Sequence, residues 1–262
     1  MCGQFIKKTK SYRMKQKKNI IIFRAKGPLD NTYLSDQLRS LNYIIKSYPI
    51  LKIKKTYHKK IKTTPYDKII TTSFYGIYYL SKLTKERDFY LYSLGKSSSL
   101  LAKNLGFKNI IECSGDSGSI LNNFISNDKF YKVNKGNVIY AGAKEISFNL
   151  PKRLQELGYN IKRYKLYSAE TINDFNNSFI NLVKRKKVLW IILLSSKGAK
   201  AFDVNSQKIF TKEDLSSINF ACISNKVAKN LNEKYLKIFY PKIPDINYIK
   251  KIILKYEKKY GT

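Results

Sequence analysis

Short apolar runs alternate with stretches of helical spacing along most of this chain. Ile20–Phe23 has the pattern of a buried strand, closed by Arg24 and a polar turn with Gly27-Pro28. Leu34, Leu38 and Leu41 then fall on one helical face, and Tyr43–Ile50, with Pro49, reads as an edge strand. The Lys-rich span 53–64 reads as an exposed linker. From Tyr66 onward the pattern predicts strand 68–72, helix 74–84, strand 89–94, helix 97–105, strand 109–112, helix 117–126, strand 137–141, helix 146–157 and strand 161–167. After a polar break at 168–171 it predicts helix 172–184, strand 188–194, helix 197–204, strand 219–223, helix 225–233, strand 236–240 and helix 245–259. Strands separated by helices of this length imply parallel sheets covered on both faces.

The first strand-helix-strand unit is too short to stand alone, and the alternation after 188 has too few strands for a complete sheet. Both difficulties disappear if residues 20–52 and 171–262 form one α/β domain and 56–165 form a second, inserted α/β domain. The expected fold is therefore two three-layer, parallel-sheet domains joined by a two-stranded connection, with crossings near 53 and 167. Residues 1–19 read as a basic N-terminal extension, in which Met14 offers a second start.

Four strand ends share one feature. Ile69–Thr72 runs into Ser73, Phe89–Leu94 into Gly95-Lys96-Ser97-Ser98, Val188–Leu194 into Ser195, and Phe220–Ile223 into Ser224-Asn225. A strand that ends in hydroxyl residues and opens a helix presents free backbone N–H groups and the positive helix end together, which suits an anion. Helix capping alone explains any single one of these serines; their recurrence points to a ligand with several negative groups.

Composition adds limits. The 51 basic and 18 acidic residues give a formal charge of +33, which suits a polyanionic partner, although Lys, Ile, Asn and Tyr are all as abundant as AT-rich codon usage would make them. Three scattered cysteines (Cys2, Cys113, Cys222) suggest a reducing, cytoplasmic setting and form neither a disulfide framework nor a zinc site. His58 is the single histidine, so no His-based metal cluster is expected, and no apolar stretch is long enough for a membrane span. Gly95-Lys96-Ser97 resembles the tail of a P-loop, but Tyr90 stands where the first glycine is needed. Gly115-Asp116-Ser117-Gly118 resembles a serine-protease nucleophile segment; a helix cap is the better reading. Tyr167 ends the strand that crosses between the two domains and, on sequence alone, is a packing residue.

The ordered set of these signatures resembles uroporphyrinogen-III synthase over residues 20–259. That family has an opening strand followed by Arg (here Arg24), a leucine-patterned helix and a strand ending in Pro (Pro49). Its strand-Thr-Ser-Pro-x-x-Val turn is similar to Thr72–Ile77, and its Val-Gly-x-x-Thr-Ala helix start to Leu94–Ser99. A strand-Gly segment followed by spaced leucines and a glycine corresponds to Tyr140-Ala141-Gly142 through Leu154, Leu157 and Gly158. The Val-Tyr strand end is Leu166-Tyr167, the second Ser-Pro turn is Ser195-Ser196, and the second Ile-Gly-x-x-Thr-Ala start is Ile223–Ala228. This chain departs from the pattern at Phe74, Ser196, Ser224 and Val227, the last of which lacks the family's hydroxyl.

The resemblance implies a cyclising lyase without cofactor or metal. Its substrate is hydroxymethylbilane, a linear tetrapyrrole with acetate and propionate on every ring, closed to uroporphyrinogen III with inversion of ring D and loss of water. Helix starts near Ser73, Ser98, Gly142, Ser195 and Asn225 would then bind carboxylates, with Lys96, Lys144, Lys197 and Lys226 adding charge. Tyr167 would assist departure of the hydroxyl. A monomer with no nucleic-acid or membrane partner is expected. Two other classes stay open: a non-catalytic α/β protein binding an anionic small molecule, and a basic nucleic-acid-binding protein, which would call for aromatic residues interleaved with basic ones on one face.

Overall fold

The computed structural model describes residues 18–131, 137–232, 235 and 237–260; nearly all of the basic extension therefore lies outside the described residues. The first sheet contains β1 (Asn19–Lys26), β2 (Ile44–Lys55), β8 (Val188–Leu193), β9 (Asn219–Cys222) and β10 (Ile238–Phe239), all paired in parallel in the order β10-β9-β8-β1-β2. The second contains β3 (Lys68–Thr71), β4 (Tyr90–Leu94), β5 (Asn109–Cys113), β6 (Val138–Ala143) and β7 (Ile161–Thr171), also parallel, in the order β7-β6-β3-β4-β5.

Each sheet is buried on both faces because alternate side chains feed two clusters. On β1, Ile21 and Phe23 pack under α6 (Asn177–Lys184), α7 (Ser196–Ile209) and α9 (Asn225–Ala228), whereas Ile20 and Ile22 pack under α1 (Tyr33–Leu38) and α10 (Ile246–Tyr260). On β3, Ile69 lies with α2 (Phe74–Leu83) and α3 (Lys96–Asn104), and Ile70 with α4 (Ser117–Tyr131) and α5 (Leu150–Glu156). A further short helix, α8 (Lys212–Leu215), sits under the first sheet through Leu215. The expected two-domain, three-layer α/β fold is what forms.

The connection is more ordered than the sequence suggests. Leu51–Lys55 of β2 pairs antiparallel with Tyr167–Thr171 of β7, so hydrogen bonding runs without a break through ten strands. The expected linker at 53–64 is instead the end of β2 plus a segment anchored by buried Ile53 and Ile61. The expected polar break at 168–171 is the end of β7, because the ribbon satisfies its backbone groups. The edge-strand reading of 43–50 holds for the first half of β2, which pairs with β1 alone; Pro49 falls where the β1–β2 register shifts and asks for no ladder donor.

This ribbon positions the site. β2 leaves the first sheet through its C-terminal end, and β7 leaves the second through its own. The carboxyl ends of both sets of parallel strands therefore point at the ribbon and at each other, and ligands of open α/β sheets bind at those ends.

Candidate functional site

Helices α2 and α3 open at the carboxyl edge of the second sheet, α7 and α9 at that of the first. Ser73 caps α2 by accepting the Gly76 N–H at 3.0 Å, and Ser195 caps α7 by accepting the Gly198 N–H at 3.1 Å. Ser224 caps α9 through the Val227 N–H at 3.3 Å. The reading of Ser98 as a cap is corrected: Gly95, at φ +81°, takes that position of α3, and Ser98 is buried one turn in. A positive φ there is costly for any residue with a Cβ. At the same helix start Ser97 Oγ is sealed from solvent without a partner, an unusual state for a hydroxyl.

Two more expectations change. Gly142 is not at a helix start but buried within β6, paired with Lys165; an irregular loop separates it from α5. Asn225 does open α9, yet that helix is one turn rather than the expected 225–233, so its dipole is small. Val227 is a core residue, which fits its lack of a hydroxyl. Lys96 pairs with Glu112 at 3.5 Å.

Three contacts cross from one carboxyl edge to the other. Lys197 Nζ lies 3.8 Å from Glu145 Oε2, and Lys226 Nζ donates to the Ser147 carbonyl at 3.3 Å. Tyr75 of α2 donates its hydroxyl to the Ala25 carbonyl at the end of β1, at 2.7 Å. The sequence pattern did not single out Tyr75, since an aromatic on an apolar helix reads as core. Gly27 makes this contact feasible: a Cβ there would sit 2.3 Å from Tyr75 Cε1.

Tyr167 stands at the junction itself. Its backbone pairs with Ala143 of β6 and with Lys55 of β2, and its carbonyl accepts the Lys144 N–H at 2.7 Å. Lys144 is exposed in the loop that follows β6. The Tyr167 ring stacks on Tyr79 at 6.0 Å and meets Tyr75 edge-on at 6.1 Å. Its hydroxyl donates to Ser73 Oγ at 2.9 Å, joining the phenol to the α2 cap. Burial pushes the phenol up to about 12, despite the opposing effect of the Ser73 hydrogen bond. It stays protonated throughout the neutral range.

Between the edges lies a cavity of about 180 Å³ whose wall includes Phe23, Leu34 and Leu193 together with Arg24, Tyr75 and Ser195. No group of three or more His, Cys, Asp or Glu side chains that could hold a metal occurs among the described residues. No helix among them is long and apolar enough to cross a membrane.

A two-domain α/β frame with helix starts from both sheets turned toward one cleft defines the class: an α/β protein with its cleft at the carboxyl ends of its parallel strands. A solved structure shares the frame: uroporphyrinogen-III synthetase from Helicobacter pylori 26695 superposes with a TM-score of 0.57 at 20% identity, covering 91% of this chain and 99% of that one. A mutant uroporphyrinogen III synthase from the extremely thermophilic bacterium Thermus thermophilus gives 0.46 at 14% identity, covering 92% and 99%. No curated sequence matches the chain. The family model for Uroporphyrinogen-III synthase HemD matches residues 33–249, and the chain belongs to that family. It is a cyclising lyase of tetrapyrrole biosynthesis, acting on a small-molecule tetrapyrrole.

Proposed function

We propose that the chain holds hydroxymethylbilane between its two carboxyl edges and that Tyr167 supplies the proton for the leaving hydroxyl. The observation that carries this is the Tyr167–Ser73 hydrogen bond at the domain junction. Breaking the C–O bond sends its electron pair to oxygen, and the Tyr167 proton turns the departing hydroxide into water. A phenol near 12 is a far stronger acid than water at about 15.7, so the transfer is downhill at that moment and only then. The azafulvenium cation left behind bonds to the substituted α-carbon of ring D, which carries no proton. The older bond from that carbon to its methylene bridge then breaks, returning its electron pair to ring D and leaving an azafulvenium on the neighbouring ring. Ring D, now inverted, bonds to that cation through its free α-carbon, and the proton lost there restores the phenol.

Unaided closure gives the wrong isomer, so orientation is the larger task. Backbone N–H groups at the starts of α2, α3 and α7, with the exposed Asn225 N–H and Lys96, Lys144, Lys197 and Lys226 nearby, serve as carboxylate partners in this reading. Ser98 supports the α3 start from inside. Gly142, inside β6, offers no open helix start to a carboxylate; a Cβ there would sit 3.1 Å from the Tyr140 ring. The boundaries that fit best are 20–52 with 171–262 for one domain and 56–165 for the other. A cytoplasmic setting fits two buried thiols outside any disulfide, Cys113 and Cys222, and in this reading the chain acts as a monomer.

The test is incubation with freshly made hydroxymethylbilane, with and without a chelator, followed by separation of product isomers. The III isomer should dominate in both. Tight binding without turnover would favour the non-catalytic alternative, and activity lost to a chelator and restored by a divalent ion would overturn the metal-free mechanism.

A further inference from the structure

Among the residues that line the cavity, Arg24 is the one with a full charge. Burial disfavours its charged form, and Asp30 and Asp36 oppose that only through space. Neither acid reaches ion-pair distance; both are exposed, and Asp36 already pairs with Arg39 at 3.1 Å and with the Thr32 hydroxyl at 2.8 Å. The Arg24 guanidinium makes a single hydrogen bond among the described residues, from Nη2 to Ser35 Oγ at 2.7 Å. Ser35 is itself fixed by donating to the Thr32 carbonyl at 2.9 Å. Nε is sealed from solvent without a partner. A half-buried guanidinium that makes one hydrogen bond and faces no ion-pair partner has donors left for a further acceptor.

The surroundings identify that partner. Phe23, Leu34 and Leu193 give the cavity an apolar wall, and the start of α7 at Ser195 and Gly198 closes another side. Tyr75, reaching over from the second domain to Ala25, pins the backbone immediately after Arg24. An apolar wall beside a planar fork suits a flat ring carrying a carboxylate. Resting on the proposed function, we infer that Arg24 binds one pyrrole side-chain carboxylate of the substrate through a two-point contact and fixes that ring at the carboxyl end of β1. Guanidinium and carboxylate match in such a fork as an ammonium cannot. At about 180 Å³ the cavity takes a fragment rather than a whole ligand, which typically needs about 300–1,000 Å³, so Arg24 serves one ring only.

The experiment uses the full chain and the variants Arg24→Gln and Arg24→Lys. Steady-state turnover of hydroxymethylbilane should show KM raised about 10- to 100-fold in Arg24→Gln, the loss expected for a charged hydrogen-bonded contact, with kcat changed far less. Arg24→Lys should fall between that variant and the wild type. Equilibrium binding of uroporphyrin, an octacarboxylate, should weaken in the same order. The melting temperature of Arg24→Gln should equal or exceed that of the wild type, because no partner acid is stranded. Unchanged KM and uroporphyrin affinity in Arg24→Gln would overturn the inference. So would losses in both variants that track a lowered melting temperature, since Arg24 would then be structural. Arg24-dependent uroporphyrin binding by a wild-type chain that makes no III isomer would uphold the carboxylate site and refute the proposed reaction.

Discussion

Tyr167→Phe separates the acid from the packing residue. The ring keeps its stack on Tyr79 and its edge contact with Tyr75, so the cluster around it stays filled. What disappears is one hydrogen bond, to Ser73 Oγ, which still accepts the Gly76 N–H and keeps its capping role. A neutral hydrogen bond contributes about 0.5–1.5 kcal/mol, and in a chain of this size about 1 kcal/mol shifts melting by roughly 2–4 °C. Loss of a positioned acid typically costs about 10²–10⁴-fold in rate. Hydroxymethylbilane also loses water unaided, so the expected fall is smaller, about 10–100-fold. The helix starts that orient the substrate are untouched, so the III isomer should persist above the uncatalysed background. The assay is single-substrate turnover with isomer separation, alongside circular dichroism and a melt. A folded Tyr167→Phe chain working at the wild-type rate would make Tyr167 a packing residue and refute the mechanism.

Three further outcomes follow from the same geometry. Ser73→Ala removes the α2 cap and leaves the Tyr167 phenol without its acceptor; it should lower stability by about 1–2 kcal/mol, and its rate effect should combine less than additively with Tyr167→Phe, so full additivity would mean the two do not act together. Stability should be independent of the Tyr167 phenol below about pH 10, the unfolded value, and fall on the order of 3 kcal/mol between about pH 10 and 12 as the folded phenol ionises; denaturant midpoints that fall as steeply in Tyr167→Phe would assign the loss to other groups. Gly27→Ala places a Cβ 2.3 Å from the Tyr75 ring and should cost about 1–3 kcal/mol by displacing the Tyr75–Ala25 contact, which an unchanged melting temperature would contradict.

The alternation of apolar runs and helical stretches was enough to read the sheets, because a parallel strand buried on both faces leaves an uninterrupted signal, as in Ile69–Ile70 or Ile191–Leu193. The ribbon was not legible. Lys52, Lys54, Lys55 and Glu170 are polar enough to pass for linker, and what makes them strand is pairing between segments more than a hundred residues apart. Caps were legible as hydroxyls after strands at Ser73, Ser195 and Ser224. The pattern failed at α3, where three consecutive serines lie just past a glycine and only backbone geometry shows that Gly95 is the cap. Gly142 misled because a glycine after an apolar run also fits a strand that continues. Short α9 was over-read because Val227 and Ala228 are apolar at the right spacing although the helix ends after one turn.

The large positive charge is where sequence and structure part most clearly. A formal +33 could not distinguish function from codon drift, since exposed charges are screened beyond about 8–10 Å at physiological ionic strength whatever their origin. What matters for an anionic ligand is the balance at the cleft. There Lys96 and Lys197 face Glu112 and Glu145, so each must give up an exposed partner before it serves a substrate, and such pairs contribute little either way. Arg24 has no acid to give up, and it is partly desolvated, where a carboxylate gains most from a fixed guanidinium. One unbalanced arginine in the cavity therefore says more about the ligand than the whole surplus of charge on the surface.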